Sequence, residues 1–195
     1  MSGADEVLDI SPEQVPDAVT TTSIHVIAGG PCSGKTTLLK ALAAAGYRTE
    51  RETAEELLKA GVAAGETPEQ MRADMVAWQS NLFMADFALF SRLAAGGVVF
   101  TDTSFLETLV FTERAGITVG PNIERWASRL RYATVFFLDP LEQYQQTAVR
   151  REDAATAAAI SREARACYSR FGYQPVTVPA GDVDERVAFI LAAIG

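Results

Sequence analysis

Nine residues, Gly29-Gly30-Pro31-Cys32-Ser33-Gly34-Lys35-Thr36-Thr37, constrain this chain more than any others. They follow Ser23-Ile24-His25-Val26-Ile27-Ala28, which reads as a strand, and precede Leu38-Leu39-Lys40-Ala41-Leu42-Ala43-Ala44-Ala45, which reads as a helix. The run fits G-x-x-x-x-G-K-[ST] without a mismatch, in the strand–loop–helix context that gives this pattern its meaning. Unpaired N–H groups at a helix start and the positive end of its dipole attract phosphate. Gly29 and Gly34 let the backbone close around the oxygens, where a Cβ would intrude. Lys35 is then the partner of the outer phosphates, and Thr36 offers its hydroxyl to Mg²⁺. A glycine turn that binds nothing is the bland alternative, and the correct flanks, Lys and Thr argue against it.

With 195 residues and 48% hydrophobic content, the chain can bury one sizeable α/β core. A net charge of −8 argues against nucleic acid or an anionic membrane as the main partner. No apolar run approaches the roughly 20 residues that span a bilayer, and no signal peptide is visible. The expectation is a cytoplasmic protein. Of the two Cys, Cys32 lies inside the glycine loop and Cys167 in a helical stretch, so no disulfide framework is implied.

Residues 1–22 hold Asp5, Glu6, Asp9, Glu13 and Asp17 with Pro12 and Pro16, and read as a loosely ordered acidic arm. Residues 23–195 read as one domain. A short second strand at Tyr47-Arg48-Thr49 precedes a helix from Glu52 to Ala64. Thr67-Pro68-Glu69-Gln70 starts a helix expected to run to about Ala95 on the stripe Met71, Met75, Trp78, Leu82, Leu89 and Leu93. Val98–Thr101 and Ala133–Leu138 are short continuous apolar runs, as in buried parallel strands. Helices follow at Ser104–Ala115, Asn122–Arg131, near 141–149, near 152–171 and at Asp182–Ala193, with a last strand at Pro175–Pro179. This alternation predicts a parallel sheet covered on both faces, with ligands at the carboxyl ends of its strands.

Four further residues could act with the loop. Asp102 ends the Val98–Thr101 strand, where it could serve Mg²⁺ and the γ-phosphate; it could equally cap the helix near Ser104. Glu52 follows the second strand and could take a proton from an acceptor hydroxyl, or be an ordinary first-turn Glu. Arg150 and Arg151 could close over a triphosphate, or face solvent. Trp78, Gln79, Phe83, Arg72, Phe105 and Arg114 could line an acceptor pocket, although Trp78 and Phe83 fall on the core stripe. His25 reads as structural.

Together with Gly46-Tyr47-Arg48, Arg131–Leu138 and Tyr168 to Tyr173, these landmarks resemble the small P-loop "AAA domain" ATPases, a group that includes the nicotinamide riboside kinase domain. The resemblance covers about residues 23 to 193. It implies an α/β, three-layer P-loop NTPase with a five-stranded parallel sheet, like the nucleoside and nucleotide kinases. It also implies ATP with Mg²⁺, a lid bearing Arg150 and Arg151, and transfer of the γ-phosphate to a small acceptor of unknown identity. Carried over by position, Lys35, Thr36 and Asp102 hold phosphate and metal, and Glu52 is the second-strand acid. Thr103 stands where many nucleoside kinases have Arg, and Glu55 stands where many have Arg three residues after the acid. The second reading is an ATPase switch acting through a protein partner. No N-K-x-D is present, which favours ATP over GTP. Oligomeric state is not written in these features.

Overall fold

The computed structural model describes residues 7–31, 33–140 and 154–195. In chain order its main elements are β1 (Ile24–Ala28), α1 (Lys35–Ala44), β2 (Arg48–Glu50), α2 (Thr53–Ala63), α3 (Pro68–Met71), α4 (Met75–Ala94), β3 (Val99–Asp102), α5 (Phe105–Arg114), α6 (Pro121–Arg129), β4 (Thr134–Leu138), α7 (Ala154–Arg170), β5 (Val176–Val178) and α8 (Val183–Ile194). They sort into two compact units. One holds Ser23–Glu50, Gly97–Thr103 and Tyr132–Gly195; the other holds Met1–Thr22, Arg51–Gly96 and Ser104–Arg131.

The first unit is built on a five-stranded sheet of order β2-β3-β1-β4-β5. Every neighbouring pair is parallel. All residues of β1 and β3 are buried, as central strands of a parallel sheet covered on both faces are, the polar His25, Thr101 and Asp102 among them. One face carries Ile27, Phe100, Phe136, Leu138 and Val178, packed with Leu38, Leu39 and Leu42 of α1 and Ile190 of α8. Successive side chains alternate faces, so Phe137 points away from that cluster; there the Arg165 guanidinium of α7 lies 4.2 Å from its ring centroid. Helices on both faces make the three-layer α/β arrangement that the alternation of elements predicts.

The second unit is mainly helical. The helix expected from Pro68 to about Ala95 is two helices. α3 closes after four residues behind a capping box, with Gln70 N–H donating to Thr67 Oγ1 at 3.2 Å and Thr67 N–H donating to Gln70 Oε1 at 2.8 Å. α4 then restarts on Asp74, whose carboxylate accepts from the Ala77 N–H at 2.9 Å. Met71 and Met75, four apart, keep the apolar stripe in phase across the interruption and so conceal it. Phe83, Phe87 and Phe105 gather around Trp126 of α6, with Phe105 stacked on it at 5.4 Å.

Residues 7–22 are built into this second unit. Val7–Leu8 pairs with Thr118–Val119, and Thr20–Thr21 pairs with Leu130–Arg131. The Asp9 carboxylate accepts from the N–H groups of Asn122 and Ile123, each at 3.1 Å, and so caps α6 from a distant part of the chain. Of the acidic stretch expected to be loosely ordered, this part is held in place. Among the described residues no helix is long and apolar enough to cross a membrane.

Candidate functional site

The glycine loop leaves β1 at its carboxyl end and turns into α1. Gly29 has φ +144°, and a Cβ there would stand 2.8 Å from Ser33 Oγ and 3.1 Å from the Leu138 carbonyl oxygen. Gly34 is the residue before α1 and has φ +90°, in the left-handed region that glycine occupies without strain. Between them the loop tightens, with Ser33 N–H donating to Gly30 O at 3.3 Å. Lys35, the first residue of α1, donates its ammonium to the carbonyls of Gly29 at 2.9 Å and Gly30 at 3.1 Å. The cation is therefore curled over its own loop, held by acceptors much weaker than a phosphate oxygen. Pro31 and Lys35 are half-buried, Thr36 and Thr37 sit on the first turn of α1, and Ser33 is buried. Cys32 lies outside the described residues.

Asp102 ends β3 directly beside this strand. It is the register partner of Ile27, two residues before Gly29. The helix that follows is capped by Ser104, whose hydroxyl accepts from Leu106 N–H at 3.2 Å, so the capping alternative for Asp102 is taken by another residue. Thr103 has φ +62°. A β-branched residue in the left-handed region costs about 1–2 kcal/mol. It is held there by Thr103 N–H donating to Ile27 O at 3.3 Å and Thr101 Oγ1 donating to Thr103 O at 3.1 Å. The strained turn fastens the end of β3 to β1 immediately before the loop, and backbone strain of this kind gathers at functional sites.

Arg186 and Asp86 are buried charges that escape a reading of the sequence. Arg186 of α8 is 4% exposed. Its guanidinium donates to the carbonyls of Ser33 at 2.8 Å, Asp139 at 3.0 Å and Pro179 at 3.0 Å. Burial pushes its pKa below the usual arginine value, against the opposing pull of Asp139, yet a guanidinium stays charged at neutral pH. The second is Asp86, in the helical unit. Burial pushes its carboxyl up to about 6, against hydrogen bonds from Thr108 and Thr53 that favour the ionised form, while the charge of Glu52 adds to the rise. The Thr108 hydroxyl donates to Asp86 Oδ2 at 2.6 Å, and nearby Thr112 donates to Gln79 Oε1 at 3.0 Å. These polar groups tie α2, α4 and α5 together.

Glu52 occupies the N-cap position of α2 in the helical unit. Trp78, Phe83 and Phe105 are core residues there, with Arg72 over the Trp78 ring at 5.6 Å. His25 is buried between Phe100 and Phe136, at 5.4 and 6.1 Å between ring centroids, and desolvation lowers its pKa, so it stands neutral at pH 7. Cys167 is buried in α7. Arg150 and Arg151 lie outside the described residues.

A family profile, the AAA domain, matches residues 24–186. The chain belongs to this family. No curated protein matches it. Among solved structures, it aligns with the NadR protein in complex with NR at a TM-score of 0.64 and 18% identity, covering 89% of this chain and 50% of that one. It aligns with shikimate kinase from Aquifex aeolicus at 0.51 and 19%, covering 88% and 95%. With deoxyadenosine kinase from M. mycoides, bound to dATP, the values are 0.56 and 13%, covering 88% and 98%. At these identities the likeness is one of fold: this AAA-domain protein has the fold of the P-loop kinases.

Proposed function

We propose that this protein is an ATP-dependent small-molecule kinase that moves the γ-phosphate of ATP to a hydroxyl of a small acceptor. The observation that carries the reading is the glycine loop with Lys35 at its rim and Asp102 on the adjoining strand end. The loop fits a polyphosphate: Gly34 begins α1 in the left-handed region that frees the loop's backbone to turn, and the Lys35 ammonium is parked on carbonyls it can leave for stronger acceptors. Among the described residues no group of three His, Cys, Asp or Glu is gathered for a metal. Mg²⁺ would instead be shared between Thr36, Asp102 and the phosphates themselves, and when bound it supplies neutralisation of developing phosphate charge.

The chain's own residues supply the rest. Loop N–H groups and Lys35 hold the phosphates in one orientation. Asp102 stays fixed by the Thr103 turn. Arg150 and Arg151 stabilise the charge that spreads over the transferred group. Kinases of shikimate and of deoxyadenosine on the same fold support a small hydroxyl compound as acceptor.

The test is ³¹P NMR of MgATP with panels of nucleosides, sugars and hydroxy acids. ADP and one new phosphoester resonance are expected with a single compound class, and none with Lys35→Ala. ATP consumption that needs a protein partner and no small acceptor would contradict the kinase reading and favour a switch.

A further inference from the structure

We propose that Arg186 is a positioning residue for the phosphate loop: its guanidinium fixes the Ser33 carbonyl and thereby aims the loop's N–H groups at a bound polyphosphate. The inference rests on the reading of residues 29–37 as a triphosphate site.

A buried arginine ordinarily faces a carboxylate. Among the described residues none pairs with Arg186 at ion-pair distance. Its three donor nitrogens instead each meet a different backbone carbonyl, 7, 47 and 153 residues away in sequence. One belongs to the glycine loop, one follows β4 and one follows β5, so all lie at the carboxyl ends of parallel strands, where ligands of such sheets bind. A planar fork reaching three fixed carbonyls determines their relative placement; an ammonium, with three diverging donors on a flexible stem, does not.

The consequence for the loop follows from peptide geometry. In a trans peptide the C=O of Ser33 and the N–H of Gly34 lie in one plane and point in opposite directions. Arg186 holds the Ser33 oxygen on the α8 side, so the Gly34 N–H is turned the other way. Gly34 is the left-handed residue that begins α1, and Lys35 follows it. If the peptide rotated, the N–H would leave its orientation and the first turn of α1 would lose its aim. Arg186 also brings a fixed positive charge to the rear of the loop, where a dry site gives it a long reach.

The experiment measures displacement of a fluorescent ATP analogue with Mg²⁺ by ATP and by inorganic tripolyphosphate, on wild type, Arg186→Met, Arg186→Lys and Ile190→Ala. Thermal unfolding of each protein without nucleotide is measured alongside. Ile190 is fully buried on the same helix and packs into the apolar core, so Ile190→Ala lowers the melting temperature without removing a hydrogen bond to the loop. Arg186→Met is expected to weaken ATP and tripolyphosphate equally, by about tenfold or more, the worth of one hydrogen bond to a charged group. Arg186→Lys should fall between it and wild type, and Ile190→Ala should bind within about twofold of wild type despite its lower melting temperature. Binding by Arg186→Met like wild type would overturn the inference. So would an equal loss in Ile190→Ala, or a loss for ATP that tripolyphosphate does not share. Should Arg186→Met fail to fold, the same criteria apply to Arg186→Lys. A wild type that binds neither ligand would overturn the triphosphate reading itself, and the inference with it.

Discussion

Arg186 in the sheet unit and Asp86 in the helical unit are both buried charges, and they are satisfied in opposite ways. Arg186 keeps its charge near neutral pH and hydrogen-bonds three backbone carbonyls, which never titrate, with the charge of Asp139 nearby. Asp86 can take a proton, and its hydroxyl partners tolerate either form, because a threonine O–H donates to a carboxylate and its oxygen accepts from a carboxylic acid. The hydrogen bonds of Arg186 in the sheet unit are to groups that do not titrate. The helical unit carries a group that changes state close to neutrality.

Substitutions break this contrast in a graded series. Lys35→Ala should act on function alone, lowering phosphotransfer by roughly a thousandfold, as removing one donor to developing charge does, with little change in the melting curve. Arg186→Met leaves the buried Ser33 carbonyl and two part-buried carbonyls without their partner and should lower stability by about 2 kcal/mol in urea unfolding at any pH between about 5.5 and 8. A stability loss that varied steeply with pH in that range would place Arg186 in a titrating pair after all.

Asp86→Asn sharpens the other side. Because the folded pKa of Asp86 lies near 6 and its unfolded value near 3.8, the folded state binds the proton more tightly. Its contribution is fully present below about pH 3.8 and is lost as pH rises through about 6. The stability of wild type relative to Asp86→Asn should thus fall by about 2 kcal/mol between about pH 4 and pH 7, because each tenfold difference in proton affinity between the folded and unfolded chain is worth about 1.4 kcal/mol and part of the effect lies below about pH 4. A difference that stays flat with pH would mean that Asp86 remains ionised in its site.

Smaller effects come from the edges of each unit. Asp9→Ala removes the cap of α6 and should cost about 1 kcal/mol, read as a shift in urea midpoint without a change in slope. Thr103→Gly should relieve up to about 1 kcal/mol of left-handed strain and raise stability slightly, while reducing turnover if that strain is what holds Asp102 beside the loop.

How much of this can be read from the chain depends on how local the physics is. The glycine loop is legible because its nine residues, the strand before it and the helix after it are contiguous, and its chemistry follows from residue type. The parallel sheet is legible because strands buried on both faces are runs of apolar residues, as in Thr134–Leu138. Asp102 is legible as a strand-end carboxylate, but its neighbour's left-handed turn is not, since nothing in Thr-Asp-Thr-Ser forces φ +62°. The break before Met75 carried a signal, Asp74, that the uninterrupted stripe overrode. Arg186 is illegible for a firmer reason: its partners are backbone carbonyls, which every residue has, and the one in the loop lies 153 residues away. Asp86, a lone carboxylate in the apolar stretch Phe83, Met84, Ala85 and Phe87, is legible as out of place there; its hydroxyl partners are not.

The central claim is that the sheet unit is a triphosphate site built for phosphoryl transfer. Isothermal titration of wild type and Lys35→Ala with ATP, in the presence and absence of Mg²⁺, tests it most directly. Saturable binding by wild type that tightens with Mg²⁺ and is lost in Lys35→Ala, whose melting curve is unchanged, is the predicted result. Equal binding by both proteins, or none by a folded wild type, would contradict it.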